Sequence, residues 1–287
     1  MSRRNNRKRE GVVGAILAFP DGILTLCCFA VPLVVIVLYS FWKIDLTTFT
    51  VTTNWNLGNY GDIFKSIYLQ ALLRSILITL ATVVGCLLLG LPIAYFIASC
   101  KGKLQLLMIG AIVIPFWTSF VVRTYAWLEL LGAHGVITQA LVHMHLVADG
   151  TDLRYSTTAV IIGMVYSYLP MMILPVYSTF EQLDQPLLEA AADLDKTPSQ
   201  AFFQIVMPSC GGGIVAGSLL VAIPALGEYT IPAILGGSKT LMIGNVIASE
   251  FQTTGNYPRG AALSSVLMVA VLLIIIGKQI MQWRKVR

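Results

Sequence analysis

The stretch Leu187-Leu188-Glu189-Ala190-Ala191-Ala192-Asp193-Leu194-Asp195-Lys196-Thr197-Pro198-Ser199-Gln200-Ala201-Phe202-Phe203-Gln204-Ile205-Val206-Met207-Pro208 stands out because the sequence on both sides of it is apolar. Its first eight residues are strong helix formers, and Asp184 and Pro186 suit the start of a helix. A second start follows at once. Thr197 is placed to cap, Pro198 to occupy the first turn and Gln200 to close a capping box, with the helix ending near Pro208. Two short helices joined by a tight turn are therefore expected within 181–210. The second would present Phe202, Phe203, Ile205 and Val206, apolar side chains that need a cover. An amphipathic pattern reports burial but not by what. These residues either pack on the inner ends of the chain's own helices or form a docking knob for a soluble partner.

The flanking sequence decides where this loop sits. The chain of 287 residues is 56% hydrophobic and only 11% charged, with a mean hydropathy of +0.78. A soluble domain carries roughly 25% charged residues, so this chain cannot coat a globule in water. Six stretches approach the roughly 20 apolar residues a membrane span needs: 14–41, 71–98, 104–131, 156–180, 213–235 and 261–281. In lipid each must be helical, because an open strand would leave its backbone unsatisfied. Prolines within them, among them Pro92, Pro115, Pro170, Pro175, Pro224 and Pro232, are tolerated there and mark kinks.

The formal charge of +5 does not indicate nucleic acid, because the basic residues gather at the termini and in one short loop. With the N-terminus inside, twelve Lys and Arg fall on the inner side and seven on or near the outer side, the bias that sets orientation in membranes. The expectation is an all-α integral membrane protein with six transmembrane helices. Residues 1–13 form a basic cytoplasmic N-terminus, 14–281 the transmembrane domain with its loop at 181–210, and 282–287 a basic cytoplasmic C-terminus. The basic start resembles a signal-peptide n-region, but the apolar run is too long and no small-residue cleavage site follows, so it reads as an uncleaved first helix. The five cysteines lie in or beside apolar segments and suggest no disulfide framework.

Glu189-Ala190-Ala191, three residues, Asp195, nine residues and Ile205-Val206-Met207-Pro208 resemble the EAA motif of ABC importer permeases. Met207 stands for the usual Leu, and Asp195 for the usual Gly. Aspartate adopts the left-handed turn better than most residues, at a cost of about 1 kcal/mol relative to glycine. The resemblance implies that Glu189, Ala190, Ala191, Asp195, Thr197, Phe202, Phe203, Ile205 and Pro208 couple the chain to a cytoplasmic ATPase. It implies the type I (MetI-like) permease fold. Pro115-Phe116-Trp117-Thr118-Ser119, Arg123-Thr124-Tyr125-Ala126-Trp127, Leu235-Gly236-Gly237 and Ile243-Gly244-Asn245-Val246-Ile247 are similar to the spermidine/putrescine permeases. That family implies a second permease subunit, two ATPase subunits and a periplasmic or lipid-anchored polyamine-binding protein as partners, besides membrane lipid. Permeases for thiamine, ferric iron or opine-like amines share much of the general pattern. The chain has no glycine-rich turn ending in Gly-Lys-Ser/Thr. It is therefore expected to be a transport subunit rather than an enzyme and to hold no cofactor, with ATP and Mg bound by the partner ATPase.

A polyamine is a flexible polycation, so its path should offer carboxylates and aromatic faces. Glu228 lies about 20 Å along the fifth span, flanked by Pro224, Gly227 and Pro232. Transporters often build midplane sites at such helix breaks. An acid there is a functional candidate; the bland alternative is an acid that snorkels outward or pairs with Arg123. The candidate path comprises Glu228, Tyr229, Tyr166, Trp117, Thr118 and Ser119, although aromatics at depth more often serve packing. Arg123, Tyr125 and Trp127 read as an outer-interface belt with a snorkelling cation. Contact with the binding protein, Glu228 or Glu129 is the functional alternative for Arg123. His143 and His145 lack a third ligand and suggest no metal. Gly213 and Gly217 permit close helix packing. No metal-ligand set or nucleophile with a base is evident for a membrane enzyme, a channel would not need the long loop, and no inverted repeat marks a secondary transporter.

Overall fold

A computed structural model describes residues 22–45, 48, 50–182, 207–238 and 240–285, with backbone alone from 278 onward. It divides into two compact units, Met1–Lys65 with Ile247–Arg287 and Ser66–Val246. The loop residues Glu189, Ala190, Ala191, Asp195, Thr197, Phe202, Phe203 and Ile205 lie outside the described residues. Pro208 falls within a short helical turn, Met207–Ser209.

In the first unit, α1 (Gly22–Ser40) is a strongly apolar helix with no part of its central window buried. It leads into a two-stranded antiparallel ribbon, β1 (Lys43–Asp45) and β2 (Thr50–Thr52), in which Ile44 faces Val51. Three-residue strands are too short to announce themselves by alternation, and this ribbon was expected only as an outer loop. A short helix, α2 (Gly58–Asp62), follows. Asn59 on α2 is buried and donates from Nδ2 to the carbonyls of Ser40 (2.9 Å) and Trp42 (2.8 Å), satisfying acceptors at the end of α1. The unit also holds most of α10 (Ile243–Gln252) and α11 (Tyr257–Lys285). Asp62 pairs with Lys65 (2.7 Å) and Arg259 (3.0 Å). The hydrogen bond from Lys65, with Arg259 beside it, holds the Asp62 carboxyl below the usual carboxylate range.

The second unit is built around α7 (Thr157–Glu181), whose membrane-length window is 56% buried against 28% for α3 (Ser66–Ser99). Ser156 caps α7 by accepting from the Ala159 N–H at 3.1 Å. The core joins Ile78, Cys86 and Ala94 of α3 to Met164, Met172, Ile173 and Val176 of α7 and to Val221 and Ala225 of α8 (Gly211–Leu226). Close approach between α7 and α8 depends on the two glycines singled out from sequence. A Cβ at Gly213 would collide with Thr179 and the Pro175 carbonyl, and one at Gly217 would lie 2.9 Å from Met172 Sδ. The remaining elements are α4 (Lys103–Val113), a 3-10 turn (Ile114–Trp117), α5 (Phe120–Leu130), α6 (Val136–His143) and α9 (Thr230–Leu235).

Among the described residues, four helices are long and apolar enough to cross a membrane: Gly22–Ser40, Ser66–Ser99, Thr157–Glu181 and Tyr257–Gly277. The kink expected at Pro115 in the span over 104–131 is a sharp break. Lys103–Trp117 and Phe120–Leu130 form a pair bent by 96°. Pro115 tightens the end of α4 into the 3-10 turn, and Thr118 and Ser119 then adopt extended ψ angles of 154° and 132° before α5 restarts. The expected span over 213–235 is a helix of 16 residues, α8, followed by a break where Pro224, Gly227 and Pro232 pointed to one, and the six-residue α9. The described structure thus contains four unbroken spans, one bent pair and one interrupted helix.

Candidate functional site

The interruption between α8 and α9 is where an acid enters the apolar interior. The last turn of α8 closes at Gly227, and Glu228 and Tyr229 cross to the start of α9 at Thr230. Pro224 inside α8 and Pro232 inside α9 weaken a continuous helix through this point. Glu228 bends back onto the break it sits in. Its Oε1 accepts from the backbone N–H groups of Thr230 (2.8 Å) and Ile231 (3.3 Å), which α9 leaves unpaired at its start. Its Oε2 accepts from the Tyr168 hydroxyl of α7 at 2.6 Å. All three partners are donors, the set an ionised carboxylate takes. The side chain thus has a structural task that its position in the sequence did not reveal: it caps the resumed helix.

A second layer holds the break from the opposite side. Asn245 donates from Nδ2 to the Tyr229 carbonyl (2.8 Å) and accepts on Oδ1 from the Met242 N–H (3.2 Å). The adjacent Gly244 fits against the backbone here; a Cβ on it would come within 2.6 Å of the Glu228 carbonyl oxygen. Ser75 of α3 accepts from the Ile243 N–H at 2.7 Å, fixing the start of α10. Glu228 is half-buried, Tyr168 only 6% exposed, and Tyr229 48% exposed. One side of the break is therefore sealed by α7, while Gly227 and Tyr229 leave the other accessible.

The other expected path residues assemble elsewhere in the unit. Tyr166 stacks near Phe116 (ring centroids 6.5 Å) and meets Trp127 edge-on at 5.3 Å. The Arg123 guanidinium lies over the Phe116 ring at 4.3 Å and near Phe120 at 5.9 Å. Its Nε and Nη1 are buried and have no hydrogen-bond partner. No ion pair among the described residues joins it to Glu129 or Glu228. Tyr166 and Tyr168 are two residues apart on a helix, so they point about 200° apart. One serves the aromatic cluster and the other Glu228. Trp117, 85% exposed, with exposed Thr118 and Ser119, forms the outside of the bend, and Tyr125 is also exposed.

Sequence reasoning missed Tyr168, Gly244 and Asn245 as parts of the site. Only the acid itself gave a signal for Tyr168: a carboxylate amid apolar helices needs donors, and α7 offered three tyrosines without indicating which faced it.

Four helices long and apolar enough to cross a membrane, with another helix interrupted at a capped carboxylate, are the features of a membrane protein with a polar site in its apolar interior. The chain belongs to the family of binding-protein-dependent transport system inner membrane components, whose pattern matches residues 90–283. It is 36% identical to the Spermidine/putrescine transport system permease protein PotB of Salmonella typhimurium (strain SL1344), over 99% of this chain and 96% of that one. It is 40% identical to the protein of the same name from Haemophilus influenzae, over 76% of each chain. The Inner membrane ABC transporter permease protein YdcU of Escherichia coli is 31% identical over 82% of this chain and 78% of its own length. Among solved structures, a bacterial ABC transporter involved in the import of the acidic polysaccharide alginate has a chain of the same fold, with a TM-score of 0.68, 17% identity and 99% coverage of both chains. A bacterial alginate ABC transporter in complex with an alginate pentasaccharide-bound periplasmic protein likewise has a chain of this fold, with a TM-score of 0.67, 17% identity and coverage of 98% of this chain and 96% of that one.

Proposed function

We propose that this chain is the permease subunit of an ATP-driven ABC importer that takes a polyamine, spermidine or putrescine, from a binding protein and passes it into the cytoplasm. The observation that carries this is the similarity, over 99% of the chain in one relative and 76% in another, to permeases named for spermidine and putrescine. On this reading the bent pair α4–α5 and the tandem α8–α9 each count as one crossing, which gives six with α1, α3, α7 and α11. Both termini are cytoplasmic, and the chain pairs with a second permease subunit in the inner membrane. Residues 181–210 dock on a cytoplasmic ATPase, present as two subunits in the assembly, which binds ATP and Mg. The path is lined by Glu228 and Tyr229 at the break and by Tyr166, Trp117, Thr118 and Ser119 near the bend, with Arg123, Tyr125 and Trp127 toward the outer interface. A fixed carboxylate beside an exposed aromatic ring suits an ammonium group, which gains from both.

The test is ATPase activity of the reconstituted assembly with loaded binding protein, comparing spermidine, putrescine, thiamine and ferric iron. Stimulation by a polyamine alone is expected. Stimulation by another of these ligands overturns the substrate and leaves the importer, whereas failure to associate with an ATPase overturns the importer reading itself.

A further inference from the structure

The Glu228 carboxylate accepts from three protein donors, and they are not equivalent. The Thr230 and Ile231 N–H groups belong to the start of α9 and move only if that helix moves. The Tyr168 hydroxyl comes from a different helix and holds Oε2 through one bond of 2.6 Å. A carboxylate has about four lone-pair sites, so the backbone bonds alone keep Glu228 in place when the hydroxyl leaves. A primary ammonium brings up to three donors and a full charge. Its bond to a carboxylate carries charge on both partners, whereas the Tyr168 bond carries it on the acceptor alone. The accessible side of the break, at Gly227 and Tyr229, gives it a route to the acid.

We infer that Tyr168 is a placeholder ligand: its hydroxyl holds Glu228 Oε2 between transport events, and a substrate ammonium displaces it. The exchange keeps Oε2 bonded between passages, and Tyr168 thereby weakens substrate binding so that the cation can leave again. Tyr168 is a positioning residue for transport, acting through Glu228. The inference rests on Glu228 being a path residue and the substrate being a polyamine.

The experiment is equilibrium binding of radiolabelled spermidine to the detergent-solubilised permease–ATPase complex without binding protein. It compares wild type, Tyr168→Phe, Glu228→Gln and the double variant, with melting temperatures alongside. Tyr168→Phe is expected to lower Kd by at least threefold. Glu228→Gln is expected to raise Kd tenfold or more, and adding Tyr168→Phe to it should change nothing further. Unchanged or weaker binding in Tyr168→Phe, with or without a lower melting temperature, leaves the tyrosine only a structural role and overturns the inference. If Glu228→Gln binds spermidine as wild type does, or wild type binds none, the path assignment falls and the inference with it. A readout independent of the variant is the infrared difference spectrum of the wild-type complex carrying ring-deuterated tyrosine. Spermidine is expected to shift a tyrosine C–O band, and no shift overturns the exchange.

Discussion

At Thr118–Ser119 the chain leaves one helix and starts another with local hydrogen bonds at the turn itself. The Thr118 hydroxyl and N–H both donate to the Pro115 carbonyl, at 2.7 and 3.3 Å, and Ser119 provides no side-chain cap. At Gly227–Tyr229 the chain is held by three residues from two distant places in the sequence. Tyr168 bonds the acid, Asn245 bonds the Tyr229 carbonyl, and Gly244 lies against the backbone. The first break redirects the helix by 96° and leaves Trp117 and its neighbours outside. The second builds a polar site inside apolar surroundings. A turn can be made from local bonds, but a buried charge requires distant parts of the chain to arrive with donors.

If this contrast is right, the two breaks should differ in sensitivity to small changes. The largest effect is expected from Gly244→Val, whose Cβ would press on the carbonyls of Gly227 and Glu228. Overpacking against backbone costs about 3 kcal/mol and should appear as a clear drop in the thermal unfolding temperature of the solubilised chain. Asn245→Ala leaves the Tyr229 carbonyl and the Met242 N–H without their partner. A loss of about 1–3 kcal/mol is expected, measured by unfolding, with weaker spermidine binding alongside. The smallest effect, within about 0.5 kcal/mol, is expected from Thr118→Ala, since that hydroxyl is exposed and its bond purely local. A Thr118→Ala loss equal to that of Asn245→Ala would erase the distinction.

The same contrast explains what could be read in advance. Long unbroken helices such as Ser66–Ser99 and Thr157–Glu181 follow from apolar runs, and the structure places them within a few residues of the expected 71–98 and 156–180. The break at Glu228 was legible because an acid, a glycine and two prolines coincide there. The sharpness of the bend at Thr118 was not. Pro115 resembles the prolines that α3 and α7 carry through continuous helices, and residues 104–131 remain apolar throughout. Gly244 and Asn245 stood out only through a family resemblance, since nothing local says that a glycine must face a carbonyl contributed by a residue 16 positions earlier. Composition reports that a segment is buried. Which side chain meets which across helices depends on packing that one strand of sequence does not encode locally.

The glycines around α7 carry a mechanical implication. Gly85 and Gly90 of α3 lie against Val165 and Met172, Gly163 of α7 itself receives Leu235, and Gly213 and Gly217 of α8 lie against Thr179 and Met172. Sliding any of these helices by one residue, about 1.5 Å, would drive a branched or bulky side chain into a slot cut to the size of a hydrogen atom. Shear between them is blocked. When this unit changes state, α3, α7 and α8 must rock together as a single lever, and the flexing must be taken up elsewhere.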